Sequence, residues 1–325
     1  MNSLSRRNLL GGTVLLGMAA AAATPAASAQ TGAHDEVVEL WPGLPPGSTG
    51  AAITRKIADQ SKDPAHPDRW VTGIARPVLV VYRPERPNGT AALIMPGGGY
   101  GFLSYDNEGV SQAAWLNARG VTAFILMYRL PSEGWNDRAD VPLQDAQRAM
   151  RVIRSGASRF GIRADQVAIL GFSAGGHLAG SLATRHAARV YAPVDAADQL
   201  SARPDVAALI YPVVTLDQPF AHIDSRNKLL GPDAGLADQR ARSVERNVDA
   251  TTPPTFLVHA ADDGLVPPAN SIALFDALRA AKRPVALHIF EDGGHGFGTR
   301  LPKTQSASAW PDLFSTFATR QGIAL

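Results

Sequence analysis

Val167-Ala168-Ile169-Leu170-Gly171-Phe172-Ser173-Ala174-Gly175 is the stretch on which the reading of this chain turns. Its first four residues form a short apolar run, as a strand buried on both faces requires, and residues 176–185 after it read as a helix. Between strand and helix lies a tight turn with the Ser173 hydroxyl at its apex. The flanking glycines let the backbone bend sharply enough to hold that hydroxyl clear of the sheet. The helix N-terminus behind it favours negative charge on a carbonyl oxygen attacked there. A Gly-x-Ser-x-Gly match alone says little in a chain with 30 glycines. The strand before it and the helix after it give it meaning, against the alternative of a glycine-rich turn without chemistry.

Outward from this turn, Val-, Ile- and Leu-rich runs at residues 77–82, 91–95, 121–127, 206–211, 255–259 and 285–290 read as further strands. Helical spacing fills the intervals. Leu143, Ala146, Met150, Ile153 and Ala157 recur at three- and four-residue steps, and Leu274, Leu278 and Ala281 repeat the pattern. A last helix is expected over 307–320, where Pro311 fits only near the first turn. The alternation predicts an α/β fold with a mainly parallel sheet covered by helices on both faces. Residues 30–75, rich in Pro, Gly and polar side chains, read as an N-terminal arm ahead of a catalytic domain at 76–325. The stretch 213–254 is long for a connection between strands. It reads either as a small insertion capping the site or as a solvated crossover with loose ends.

A serine hydroxyl is a weak nucleophile at neutral pH and needs a base within hydrogen-bond reach, oriented by a carboxylate. The strand at 255–259 runs into Ala260-Ala261-Asp262-Asp263-Gly264-Leu265-Val266-Pro267, and the strand at 285–290 into Glu291-Asp292-Gly293-Gly294-His295-Gly296-Phe297-Gly298. Loops beyond the C-terminal ends of parallel strands line one crevice, so both face the turn at Ser173. Adjacent side chains diverge, and the spacing alone does not choose between Asp262 and Asp263. His34, His66, His177, His186, His222, His259 and His288 read as structural or solvent-exposed. His295 differs because glycines on both sides give it a loop tip that no core histidine needs. Pro96-Gly97-Gly98-Gly99-Tyr100-Gly101, after the strand at 91–95, supplies backbone N–H groups for a developing oxyanion, with the Ala174 N–H as partner. A phosphate-binding loop is the rival, and it lacks the Gly-Lys-Ser/Thr ending.

Together Pro96-Gly97-Gly98-Gly99-Tyr100, Tyr128-Arg129-Leu130, Gly171-Phe172-Ser173-Ala174-Gly175-Gly176-His177-Leu178-Ala179, Asp263-Gly264-Leu265-Val266-Pro267 and Gly294-His295-Gly296-Phe297 resemble the α/β-hydrolase serine esterases. The likeness is above all to bacterial acetyl esterase/acetyl xylan esterase and feruloyl-esterase-like (BD-FAE-like) carbohydrate esterases, and it runs over about 77–320. It implies the α/β-hydrolase fold, with Ser173 as nucleophile, His295 as base and Asp263 as the orienting acid of a catalytic triad. It further implies the amides of Gly98, Gly99 and Ala174 as oxyanion donors. Pro96 stands where hormone-sensitive-lipase-like relatives carry the His of His-Gly-Gly-Gly. The expected reaction is hydrolysis of a short-chain ester, acetyl first, on a small molecule or oligosaccharide, with no metal or organic cofactor. A serine peptidase of the prolyl-oligopeptidase type shares the triad order but needs a propeller-sized N-terminal region. A non-catalytic binding protein on the same fold has no need of the triad. Trp41, Tyr100 and Trp135 are candidates to stack on sugar rings, with core packing the alternative.

The chain opens with Ser5-Arg6-Arg7-Asn8-Leu9-Leu10, an apolar run and Ala27-Ser28-Ala29, the three parts of an export signal, here of twin-arginine type with cleavage expected after Ala29. Residues 1–29 carry Arg6 and Arg7 and no acidic residue, so the formal net charge of +2 becomes zero on cleavage. A neutral chain without a Lys/Arg block gives no electrostatic reason to bind nucleic acid or anionic membrane. No stable membrane association after cleavage is expected, which makes the protein periplasmic or secreted. The absence of cysteine excludes thiol nucleophiles, thiolate metal sites and disulfides.

Overall fold

The computed structural model describes residues 36–325, so the expected export signal lies outside the described residues. In chain order the strands are β1 (Glu36–Glu39), β2 (Lys56–Asp59), β3 (Arg69–Thr72), β4 (Val78–Tyr82), β5 (Ala91–Met95), β6 (Leu103–Ser104), β7 (Thr122–Met127), β8 (Val167–Phe172), β9 (Val206–Ile210), β10 (Thr255–Ala260) and β11 (Val285–Phe290). The α-helices are α1 (Ser111–Asn117), α2 (Val141–Ser155), α3 (Ala157–Phe160), α4 (Ser173–Arg185), α5 (Ile223–Leu230), α6 (Leu236–Arg242), α7 (Ala269–Ala280) and α8 (Trp310–Arg320).

An eight-stranded sheet has the order β1-β4-β7-β5-β8-β9-β10-β11. From β7 to β11 neighbouring strands are parallel, whereas β4 and β1 run antiparallel at one edge. Every residue of β4, β5, β7, β8, β9 and β10 is buried, because helices flank the sheet; such strands read as unbroken apolar runs rather than alternating ones. The helices follow the same logic. In α2 the buried face includes Leu143, Ala146, Met150 and Ile153, and Pro142 sits in its first turn, where no intrahelical N–H is lost. The helix stops before Gly156, so Ala157 opens the separate turn α3 rather than continuing α2. Pro311 likewise lies in the first turn of α8. Among the described residues no helix is long and apolar enough to cross a membrane.

Part of the stretch read as an arm is woven into the sheets. β1 pairs with β4 from Glu36 opposite Val81 to Glu39 opposite Val78, while β2 and β3 join β6 in a three-stranded sheet. The same stretch reaches the buried pair Arg129–Asp145, both side chains 0% exposed. The guanidinium forks onto Asp145, with Nη2 2.8 Å from Oδ1 and Nε 2.9 Å from Oδ2, and also donates to the Pro46 carbonyl. The Trp41 indole N–H donates to Asp145 Oδ1 at 2.9 Å, and Arg148 Nε to the Leu40 carbonyl at 2.7 Å. The two charges of Arg129 and Asp145, withdrawn from water, need partners such as Pro46 and Trp41, because their attraction alone barely offsets the desolvation.

Candidate active site

Ser173 follows the C-terminal end of β8 with φ +53°, a left-handed conformation that a side-chain-bearing residue adopts only when its surroundings enforce it. The glycines on either side make the turn sterically possible. A Cβ at Gly171 would lie 2.4 Å from the Ala179 Cβ, and one at Gly175 2.1 Å from the Met95 carbonyl oxygen. Ser173 Oγ is 2.8 Å from His295 Nε2, and His295 Nδ1 is 2.7 Å from Asp263 Oδ2. His295 rides on the loop after β11 between Gly294 (φ +62°) and Gly296 (φ +76°). The sequence-predicted serine, histidine and acid thus meet in one hydrogen-bonded line.

Asp263 is buried, and its orientation is fixed from both sides. Oδ1 accepts the N–H groups of Leu265 and Val266, each at 2.9 Å, while Oδ2 faces His295 and lies 3.2 Å from Nε2 of the buried His259. Burial opposes ionisation of Asp263, but hydrogen bonds from His259, His295 and the backbone outweigh it and hold the carboxyl well below the usual carboxylate range. Asp262 points elsewhere: exposed, it accepts the Gly294 N–H at 2.8 Å and so braces the loop that carries His295.

The glycine loop packs directly on the Ser173 turn. A Cβ at Gly97 would lie 2.6 Å from the Phe172 carbonyl oxygen and 2.8 Å from Ser173 Cβ. Gly98 (φ +121°) and Gly99 (φ +62°) adopt conformations open to glycine, and the Gly98 carbonyl closes the turn by accepting from Gly101 at 2.9 Å. Among the described residues no backbone carbonyl accepts from the N–H of Gly98 or Gly99. Ala174 stands in the first turn of α4, where a helix leaves its N–H groups without internal partners. Gly98, Gly99, Ser173 and His295 all line a cleft of about 320 Å³. This arrangement can do acyl transfer: a hydroxyl beside an imidazole, a carboxylate behind it, and free amides in front.

Other residues of the cleft wall were not singled out in the sequence. His222 and Asp224 come from the 213–254 stretch, and Trp70 and Phe102 stack on each other with ring centroids 3.8 Å apart and planes within 12°. Trp41, Tyr100 and Trp135, read as candidates for sugar stacking, are buried instead. The Tyr100 hydroxyl meets His177 Nδ1 at 2.8 Å, and His177 Nε2 meets the Arg242 carbonyl at 2.9 Å. Burial pushes His177 down to about 4, so the neutral ring donates to that carbonyl and accepts from Tyr100. Glu108 and Tyr211, which the sequence reading also passed over, lie within hydrogen-bonding distance of each other beside this site. Among the described residues no group of three or more His, Asp or Glu side chains is placed to hold a metal ion.

The fold is that of an α/β-hydrolase. Residues 79–278, more than half of the chain, match the BD-FAE family model, and the chain belongs to that family. It is 35% identical over 225 residues to the acetylxylan esterase of Xylanibacter ruminicola, covering 68% of this chain and 43% of that protein. It is 37% identical over 204 residues to the endo-1,4-beta-xylanase B of Butyrivibrio fibrisolvens, covering 63% of this chain and 32% of that one. The chain therefore spans less than half the length of each of these curated relatives. Among solved structures, the acetyl ester-xyloside bifunctional hydrolase from Caldicellulosiruptor lactoaceticus aligns with TM-score 0.73 and 31% identity over 90% of this chain and 98% of that one.

Proposed function

We propose that the protein is an exported serine esterase that removes short acyl groups, acetyl first, from carbohydrate through Ser173, His295 and Asp263. The observation that carries this reading is the line of hydrogen bonds from Ser173 Oγ through His295 to Asp263, 2.8 Å and 2.7 Å long. His295 takes the Ser173 proton as the hydroxyl attacks the ester carbonyl, and the oxyanion is received by the amides of Ala174 and of Gly98 or Gly99. His295 then returns the proton to the leaving alcohol. Water, deprotonated by the same ring, next hydrolyses the acyl-enzyme. The carbohydrate reading is supported by the acetyl ester and xylan vocabulary in the relatives' names and by the aromatic surface of Trp70 and Phe102 in the cleft. The export reading is supported by the sequence of residues 1–29.

Polar and charged side chains among the lining residues argue for a short acyl group. Each methylene that fitted an apolar wall would add ~0.8 kcal/mol of burial, but Asp68, His222 and Asp224 among the lining residues offer an octanoyl chain charged or polar neighbours instead. Acetate is therefore expected to exceed octanoate in kcat/KM with p-nitrophenyl esters, and a faster octanoate reaction would move the assignment to a lipase-like esterase. On acetylated xylan, Trp70→Ala is expected to lower kcat/KM by about fivefold, in line with the ~1 kcal/mol typical of an aromatic contact. The same variant should act on p-nitrophenyl acetate at the wild-type rate. Equal losses on both substrates would remove the sugar-binding role of Trp70.

A further inference from the structure

Glu108 lies in the π-helical turn Asp106–Val110, is 3% exposed and lines the cleft with Ser173. Among the described residues no Lys or Arg pairs with it, so its burial must be supported by hydrogen bonds. Oε2 accepts the Gly97 N–H at 2.7 Å and Oε1 accepts the Tyr211 hydroxyl at 2.9 Å. The Tyr211 oxygen itself accepts the Gly298 N–H at 3.0 Å, which commits its single proton to Glu108. Burial pushes the Glu108 carboxyl above its usual range against the pull of these donors.

The two ends of this chain of bonds are informative. Gly97 opens the glycine loop whose next two residues line the cleft, and Gly298 lies three residues beyond His295 in the same loop. Asn107, in the same π-helical turn as Glu108, holds the His295 loop directly, its Nδ2 donating to the Gly296 carbonyl at 2.7 Å. Tyr211 holds φ +37°, and its ring lies 4.9 Å from the His295 ring and 4.5 Å from that of Phe297. Strain of this kind persists only where packing and hydrogen bonds over-determine the residue.

We propose that Glu108, acting through Tyr211, is a positioning residue that sets the glycine loop and the His295 loop at a fixed separation around the reacting carbonyl. The proposal rests on the reading of Ser173 and His295 given above. Glutamine at 108 cannot accept from both Gly97 and Tyr211, because its amide nitrogen must face one of these two donors. Tyr211→Phe keeps the ring and removes only the bridging hydroxyl.

The test measures kcat and KM on p-nitrophenyl acetate for Glu108→Gln, Tyr211→Phe and the double variant, each normalised to sites labelled at end point by a fluorophosphonate. Misplacement of the loops is expected to lower kcat about 100-fold in each single variant with KM nearly unchanged. The double variant should lose little more than either one, since both interrupt one network. If kcat per labelled site stays within about threefold of wild type in Tyr211→Phe and in every folded Glu108 variant, or if the loss appears in KM alone, the proposal is overturned. Should Glu108→Gln fail to fold, Tyr211→Phe decides on the same threshold. Ser173→Ala run in parallel separates the two levels. Activity surviving in Ser173→Ala overturns the underlying reading, whereas an inactive Ser173→Ala beside fully active Glu108→Gln and Tyr211→Phe overturns only the role of Glu108.

Discussion

Ser173→Ala is expected to lower kcat for ester hydrolysis by about 10⁵- to 10⁶-fold, the loss seen when the nucleophile of such a unit is removed. The expectation follows from the position of Oγ at the head of the hydrogen-bonded line, and among the described residues no second hydroxyl meets His295 Nε2. Stability should hardly change. Alanine meets the same backbone strain at φ +53° as serine does, and the substitution forfeits one hydrogen bond, a matter of about 1 kcal/mol. Thermal melting beside steady-state hydrolysis of p-nitrophenyl acetate checks both halves. Hydrolysis near the wild-type rate would end the proposed mechanism.

Asp263→Asn is expected to lower kcat by ~10⁴, since an amide in place of the carboxylate favours the wrong imidazole tautomer. That factor corresponds to roughly 5.4 kcal/mol in the barrier. Asp263 has more to lose than the bond to His295, because Oδ2 also lies 3.2 Å from His259 Nε2. An amide nitrogen turned toward either ring meets a donor instead of an acceptor. The adjacent Asp262→Asn should stay within about tenfold of wild type, because an asparagine oxygen can still accept the Gly294 N–H. Reversed effects in the two variants would make Asp262 the orienting acid. Two weak effects would place the acid on another strand.

How far the sequence foretells these sites depends on the range of the interactions involved. The parallel strands are readable because burial on both faces leaves apolar runs such as Ala91–Met95 and Val206–Ile210 with no polar alternation to confuse them. β1 is not readable: Glu36–Glu39 is four residues long, alternates half-buried and exposed positions, and becomes a strand only because β4 offers it an edge. The Ser173 turn and the His295 loop announce themselves through local glycines, and the resemblance to Asp-x-x-Val-Pro selects Asp263 where spacing could not. Glu108 and Tyr211 carry no such local mark. They are brought together from 103 positions apart, and a tyrosine after a strand reads like any other core aromatic. The same holds for the aromatics. Nothing local distinguishes Trp70, which lines the cleft, from Trp41 and Trp135, which are buried beside Arg129.

The knot at Arg129 and Asp145 bears on how small an autonomous unit the polypeptide contains. Leu40, Trp41 and Pro46 each contribute a hydrogen-bonding group to a charged side chain of the later fold. Were the chain to begin at β4, Arg129 and Asp145 would stay in a dry interior without Pro46 and Trp41, and Arg148 would lose Leu40, at about 1.5–3 kcal/mol for each bond to a charged group. Against a typical domain stability of roughly 5–15 kcal/mol, such a shortened chain has little margin left. The first residues of the stretch before β4 therefore belong to the same cooperative unit as Ser173. Under the export proposed above, cleavage after Ala29 would leave all three in place.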